Sequence, residues 1–423
     1  METIKAATMN ETNTAVERMS SQEWLILLIC FLTTTFIAIP YYGHATQWDT
    51  MMEKFGLNYT QMGMLDSVTA FSAGIVLLFG GMLTYRWGAR NVSILGMLVA
   101  AIGQLGFAYM NDYSGLILMR LVQGAGIALV YVGPYAMVLR WFEDTKHLGF
   151  ALGVMIACDG AGALLALYLF AYVLAGFGWV TGVTIGAAAL GILAVVTFLF
   201  LKEPDKWYKA KEEHIKNPIP LGKELKEIFL NRNVFSAIMM IIPVWGVFGT
   251  AVYWVPAFLM EDAGWSETTS GLVGSAFACA GMLAFIFGML SDRSGKRMPL
   301  TVISCIGSLV AFALLTVFYI RGNFGLVSLM LAVAGFFMYC GLLLVYYLVA
   351  DAIGSIRSAA ANGLIMCLGY LIGGFVYPVA VGYFKDLTGS YTSGFIAITV
   401  SILLFSILVI LSGKDTPKEI RPE

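Results

Sequence analysis

Twelve runs of mostly apolar residues, at roughly 23–45, 59–82, 91–111, 115–138, 148–174, 179–201, 233–259, 267–290, 299–320, 325–350, 359–383 and 391–413, take up most of the chain. About 20 such residues are needed for a helix to cross a bilayer, and within hydrocarbon only helices and closed barrels satisfy their own backbone. The runs predict an all-α membrane protein with twelve transmembrane helices. Only 12% of the 423 residues are charged, against about 25% in a soluble domain, so lipid must cover much of the surface. A formal net charge of −1 offers no basic field and argues against a nucleic-acid partner. The six cysteines all lie inside apolar runs without a CxxC pair, which suits packing rather than disulfides or zinc.

The longest polar interval, 202–232, carries eight basic residues with Pro204, Pro218 and Pro220 and falls near the midpoint. The predicted organisation is a tail at 1–22, a six-helix bundle at 23–201, a linker at 202–232, a second six-helix bundle at 233–413 and a tail at 414–423. The first tail is polar and lacks a signal-peptide cleavage pattern, so the first apolar run reads as a membrane span. With the N-terminus inside, 21 of the 25 Lys and Arg residues fall on that side and Lys54, Arg321 and Lys385 fall outside. The positive-inside rule then predicts a multi-pass protein of the cell (inner) membrane with both termini cytosolic.

Two loops repeat one pattern 207 residues apart: Gly81-Met82-Leu83-Thr84-Tyr85-Arg86-Trp87-Gly88-Ala89-Arg90 and Gly288-Met289-Leu290-Ser291-Asp292-Arg293-Ser294-Gly295-Lys296-Arg297. Each follows the second helix of a six-helix half. A same-direction repeat of this kind implies two pseudo-symmetric bundles related by an axis along the membrane normal. Glycine permits the tight turn, and the arginines suit helix C-termini and carboxylates at the membrane face.

On these loops the chain resembles the major facilitator superfamily, whose hallmark is G-x-L-x-D-R-x-G-x-R between the second and third helices. The second copy matches in full, while the first has Tyr85 where the family has an acid. A further family motif stands in the fourth span as Arg120-Leu121-Val122-Gln123-Gly124-Ala125-Gly126. Trp141-Phe142, Gly149-Phe150-Ala151-Leu152-Gly153 and Gly178-Trp179 are loosely similar to the organic-anion and monocarboxylate porters. The resemblance implies a secondary transporter working by alternating access. It also assigns Gly81, Arg86, Gly88, Arg90, Gly288, Asp292, Arg293, Gly295 and Arg297 to the conformational gate. Those porters hold a carboxylate with a basic residue in the second half, yet spans seven, eight, ten and eleven as bounded above contain no Lys or Arg.

Charged residues inside spans are costly and by default functional. Asp159, between glycines near the middle of the fifth span, is a candidate proton carrier. Asp66 and Arg120 lie at similar depth in the second and fourth spans and are placed to pair, either as a buried structural pair or as a gate sensing proton and substrate; with Asp159 they are the candidate proton-coupling residues. In the superfamily the first, fourth, seventh and tenth helices line the central cavity. Here these supply Tyr41, Tyr42, Tyr131, Tyr135, Trp245, Tyr253, Trp254 and Tyr339, aromatic rings with polar tips suited to stacking and hydrogen bonding. Asn362, Tyr370 and Tyr377 are weaker candidates. The histidines form no cluster, and no metal-ligand spacing, nucleotide loop or nucleophile elbow appears, so neither a cofactor nor an enzyme is expected. The expected function is proton-coupled uptake of a small organic solute, with sodium as the other candidate ion, by a monomer in the lipid bilayer. An organic-acid porter using Arg120 is the alternative, and a transporter-like membrane sensor a more remote one.

Overall fold

The computed structural model describes residues 19–143, 145, 147–205, 208, 230–353 and 355–416. Most of the tail at 1–22, most of the linker at 202–232 and the end of the tail at 414–423 therefore lie outside the described residues. Among the described residues there are twelve helical spans: α1 (Ser21–Phe55), α2 (Tyr59–Gly80), α3 (Ala89–Tyr109), α4 (Tyr113–Phe142), α5 (Leu148–Phe177), α6 (Trp179–Phe200), α7 (Arg232–Glu261), α8 (Glu267–Ser291), α9 (Met298–Ile320), α10 (Phe324–Ile353), α11 (Ala361–Thr388) and α12 (Thr392–Ser412). The α2 helix itself runs on to Trp87. Side chains start several of them. Ser20 with Glu23 and Asn58 with Gln61 form reciprocal capping boxes at α1 and α2, satisfying backbone donors that a helix leaves free at its start.

The packing repeats between halves. The α3 helix lies against α4 and α6, and α2 against α4; in the second half α9 lies against α10 and α12, and α8 against α10. The halves meet along α2 with α11 and along α5 with α8. Small residues make those crossings close, as expected where lipid supplies no hydrophobic drive between helices. A methyl group added at Gly63 of α2 would run into the Pro378 carbonyl of α11, and one at Gly271 of α8 into the Leu167 carbonyl of α5.

Several helices are irregular where the halves face each other. The α1 span breaks at Ile37, continues as Ala38–Tyr42, tightens to a 3₁₀ turn over Gly43–Gln47 and resumes at Trp48. Widened π turns interrupt α5 at Leu164–Leu169, α7 at Thr250–Trp254 and α11 at Gly369–Gly374. Such turns leave carbonyls and side chains facing new partners, and they gather at functional sites. The sequence places Lys385 in an outside loop, but α11 extends to Thr388 and buries it. Its amine pairs with Glu261 of α7 at 2.7 Å and lies 4.2 Å from the Tyr391 ring. Carboxylate and aromatic faces together compensate the buried charge.

Candidate functional site

Asp159 sits on α5 where both halves meet. A methyl at the next residue, Gly160, would touch Met282 of α8, and the Cys279 thiol of α8 reaches the Gly160 carbonyl at 3.5 Å. The Tyr131 hydroxyl of α4 donates to Asp159 Oδ1 at 3.3 Å. One turn along α4, the Tyr135 hydroxyl donates to the Met155 carbonyl at 3.0 Å. Both α4 tyrosines thus face α5, as their spacing of four predicts. Beyond them, Tyr41 stacks on Tyr370 with ring centroids 6.4 Å apart, Tyr42 lies against Tyr41 at 5.3 Å, and Trp245 packs on Tyr370 at 4.4 Å. The Trp245 indole nitrogen and the Tyr370 hydroxyl are buried without a hydrogen-bond partner. Unpaired buried donors of this kind are costly unless something else fills their demand.

Tyr253 and Trp254 continue from this cluster, with the Tyr253 ring 6.2 Å from that of Tyr41. They lie in a seal at the end of the molecule remote from Met19 and Thr416, the first and last described residues, which mark its terminal end. The Tyr253 hydroxyl donates to the Tyr41 carbonyl at 3.1 Å, and Trp254 packs on Trp48 with centroids 4.5 Å apart. Gln47 donates to Glu267 of α8 at 2.7 Å. Asp386 of α11 accepts from the Tyr59 and Thr60 amides at 3.1 and 2.7 Å, so a carboxylate of one half caps the first turn of α2 in the other. An acid there also meets the positive end of the helix dipole. A vestibule of about 290 Å³ lies on the outer side of this seal, bounded by residues that include Thr46, Asp49, Trp265 and Glu267. Toward the terminal end the interface loosens: Tyr41, Tyr42, Tyr253 and Trp254 are buried, whereas Tyr131, Tyr135, Asp159 and Tyr346 are half-buried.

Arg120 is fully buried, and each of its five N–H groups has an acceptor. Nε donates to the Leu65 carbonyl at 3.0 Å, Nη1 to the Pro40 carbonyl at 2.8 Å and to Gln123 at 2.7 Å, and Nη2 to the Tyr41 carbonyl at 3.0 Å and to Asp66 at 3.2 Å. The break in α1 frees the two carbonyls from that helix. The guanidinium therefore pins α1 and α2 to α4, and in this conformation it has no donor left for a solute. Asp66 Oδ1 accepts in addition from His44 at 2.7 Å. Sequence reasoning passed over His44 because it forms no histidine cluster. The available signal was depth, since it lies near the same membrane level as Asp66 on the preceding span.

The two repeated loops make matching contacts within their own halves. Gly88 and Gly295 have φ of +86° and +67°, a region that other residues occupy only with strain. The Arg90 amide donates to Glu203 at 3.0 Å, and the Arg140 guanidinium reaches the other oxygen of Glu203 at 2.9 Å. In the second half the Arg297 amide donates to Asp415 at 2.7 Å, and the Arg297 side chain reaches Asp351 at 3.3 Å. Each half thus uses an acid just past its last helix to cap the helix that follows the loop. Arg90 also packs over Phe198, and Arg297 over Tyr347. Arg86 and Arg293 are exposed, and Gly288 faces Leu343 and Tyr347. The side-chain environments of Gly81 and Asp292 lie outside the described residues. Among the described residues, no group of three or more His, Cys, Asp or Glu could hold a metal ion.

The sequence profile of the Major Facilitator Superfamily matches residues 24–378 and, overlapping, 257–423. A probable sulfoacetate transporter from Cupriavidus necator is 22% identical, with 89% of this chain and 90% of that protein aligned. Monocarboxylate transporter 11 of Homo sapiens is 26% identical, with 75% of this chain and 67% of that protein aligned. In fold the chain is similar to a crystal structure of a D-xylose–proton symporter, with a TM-score of 0.71 and 15% identity, covering 93% of this chain and 99% of that one.

Proposed function

The chain belongs to the major facilitator superfamily, and from that premise we propose that it takes up a small organic solute together with a proton. The carrying observation is Asp159, which accepts from the Tyr131 hydroxyl on the part of α5 that packs against α8 of the other half. A carboxylate there exchanges its proton with whichever side is open. The solute binds beside it, among Tyr41, Tyr42, Tyr131, Tyr135, Tyr339 and Trp245, as α1–α6 rock against α7–α12. The repeated loops, with Arg90 and Arg297 fixed to Glu203 and Asp415, keep each half rigid during that motion. Tyr253 and Trp254 act in the seal, and Arg120 with Asp66 holds the broken part of α1 in place for it. In this reading the protein works as a monomer in the cell (inner) membrane with both termini cytosolic, as the distribution of Lys and Arg supports.

The names of the relatives favour a second reading in which the solute is an organic acid, since one carries sulfoacetate in its name and the other monocarboxylate. With all five Arg120 donors engaged, the carboxylate would be met by hydroxyls and the unpartnered Trp245 N–H, and a proton on Asp159 would offset its charge. Uptake into proteoliposomes under an imposed pH gradient, across cationic, zwitterionic and carboxylate solutes, decides between the readings. Carboxylate uptake with a raised KM in Trp245→Phe supports the second reading. Gradient-driven uptake of cationic or zwitterionic solutes alone overturns it. No gradient-driven uptake of any class overturns proton coupling.

A further inference from the structure

We infer that His44 with Asp66 forms a second proton-binding site, set in the seal and separate from Asp159, and that a proton there favours the state with the seal open. This inference rests on the alternating-access reading. The two side chains meet at 2.7 Å, with side-chain exposures of 6% and 0%. Arg120 lies on the same Asp66 oxygen, and the other oxygen, Asp66 Oδ2, has no partner.

The charge count gives the direction. With His44 neutral, its ring N–H donates to Asp66, and the charges of Asp66 and Arg120 cancel. A proton on His44 adds a full positive charge beside Arg120 in a place shut off from water. Opening the seal admits water to solvate it, and by linkage the ligand favours the state that binds it better.

Among the described residues, the groups around His44 offer no second compensating charge. Tyr41 and Tyr42 precede it on α1, Asp66 faces it from α2 and Arg120 from α4, and α3 presents the Phe107 ring at 5.6 Å. Phe170 of α5 packs against the neighbouring Gly43. From the other half, α7 places the Tyr253 ring 5.8 Å away. The nearby acids of the seal are committed or outward: Glu267 of α8 to Gln47, Glu261 of α7 to Lys385, while Asp49 is exposed.

His44 is also joined to the seal by short paths. It shares its 3₁₀ turn with Gln47 and precedes Trp48, both of which contact the opposite half. Tyr253 donates to the same Tyr41 carbonyl that Arg120 holds.

Spin labels replacing the exposed Lys54 and Arg321 span the sealed end, one on each half, and report its opening without any solute. In nanodiscs, between about pH 8 and about pH 5, the ratio of long to short distances is expected to rise on the order of 5-fold or more. In His44→Gln, which keeps an N–H for Asp66, both distances are expected to persist with a ratio independent of pH. A pH response in His44→Gln equal to that of the parent, or none in the parent, overturns the inference. Should His44→Gln fail to fold, the chain's two other histidines can be replaced as His147→Gln and His214→Gln, leaving His44 alone for ring-labelled NMR. The ring is expected to titrate over the interval in which the labels part; a ring fixed in one form while they part overturns the inference. Because the label readout needs no uptake, its failure leaves proton carriage by Asp159 standing, and loss of Asp159-dependent uptake leaves the label result standing.

Discussion

At the end remote from the termini, bonds cross between the halves: Asp386 caps α2, Gln47 meets Glu267, Trp48 packs on Trp254, and Tyr253 donates to Tyr41. At the terminal end the named ion pairs run within a half, Arg140 with Glu203 and Arg297 with Asp351. Of the interface residues named above, Tyr41, Tyr42, Tyr253 and Trp254 are buried, and Tyr131, Tyr135, Asp159 and Tyr346 toward the terminal end are half-buried. In the proposed alternating-access reading the two ends do different work: the remote one holds a closed gate, and the terminal one stiffens two bodies that must move apart. Polar contacts between the halves at the remote end mostly involve exposed or backbone groups, so water can replace them at modest cost when the gate opens.

The largest departure from this picture should come from Arg120, which anchors the broken α1 beneath the seal. Arg120→Ala leaves Asp66 buried with His44 as its one remaining partner, a loss on the order of 3–5 kcal/mol, and the melting temperature in detergent should fall by many degrees. Arg120→Lys should recover little, because an ammonium supplies three donors and cannot match the guanidinium fork. A melting temperature near that of the parent would break the account of the anchor.

Asp386→Ala should act on the gate and spare the fold. Loss of a helix cap costs about 1–2 kcal/mol, here charged to the closed state, so label distances across the remote end should move toward the open form. Glu203→Gln and Asp415→Asn sharpen the contrast from the other side. Each should lower thermal stability by on the order of 1 kcal/mol, to a similar extent, with no shift in those distances. If the terminal-end variants moved the gate as much as Asp386→Ala, the division between the ends would fail.

The fold was legible because span length and loop charge are local properties, and the twelve runs and two loops needed no knowledge of long-range contacts. The fifth span's lone acid could likewise be singled out on cost alone. The partners could not. Arg120 is held largely by carbonyls freed where α1 breaks, and no residue type in the motif announces them. Lys385 reads as an outside residue until α11 is seen to continue past it and Glu261 to meet it. His44 looks idle beside two scattered histidines, because its counterpart, Asp66, lies 22 residues away on the next helix. Glu203 and Asp415 are visible as acids after the last span of each half, yet their role depends on the loop that folds back to them.

Proton-coupled uptake, as proposed, depends on Asp159 carrying the proton. The direct test reconstitutes parent and Asp159→Asn in liposomes, using a solute that the parent accumulates under an imposed pH gradient. It measures both gradient-driven accumulation and counterflow at equal pH. The predicted result is an Asp159→Asn variant that still exchanges solute by counterflow but no longer accumulates it under the gradient. Accumulation in Asp159→Asn as strong as in the parent would contradict the account.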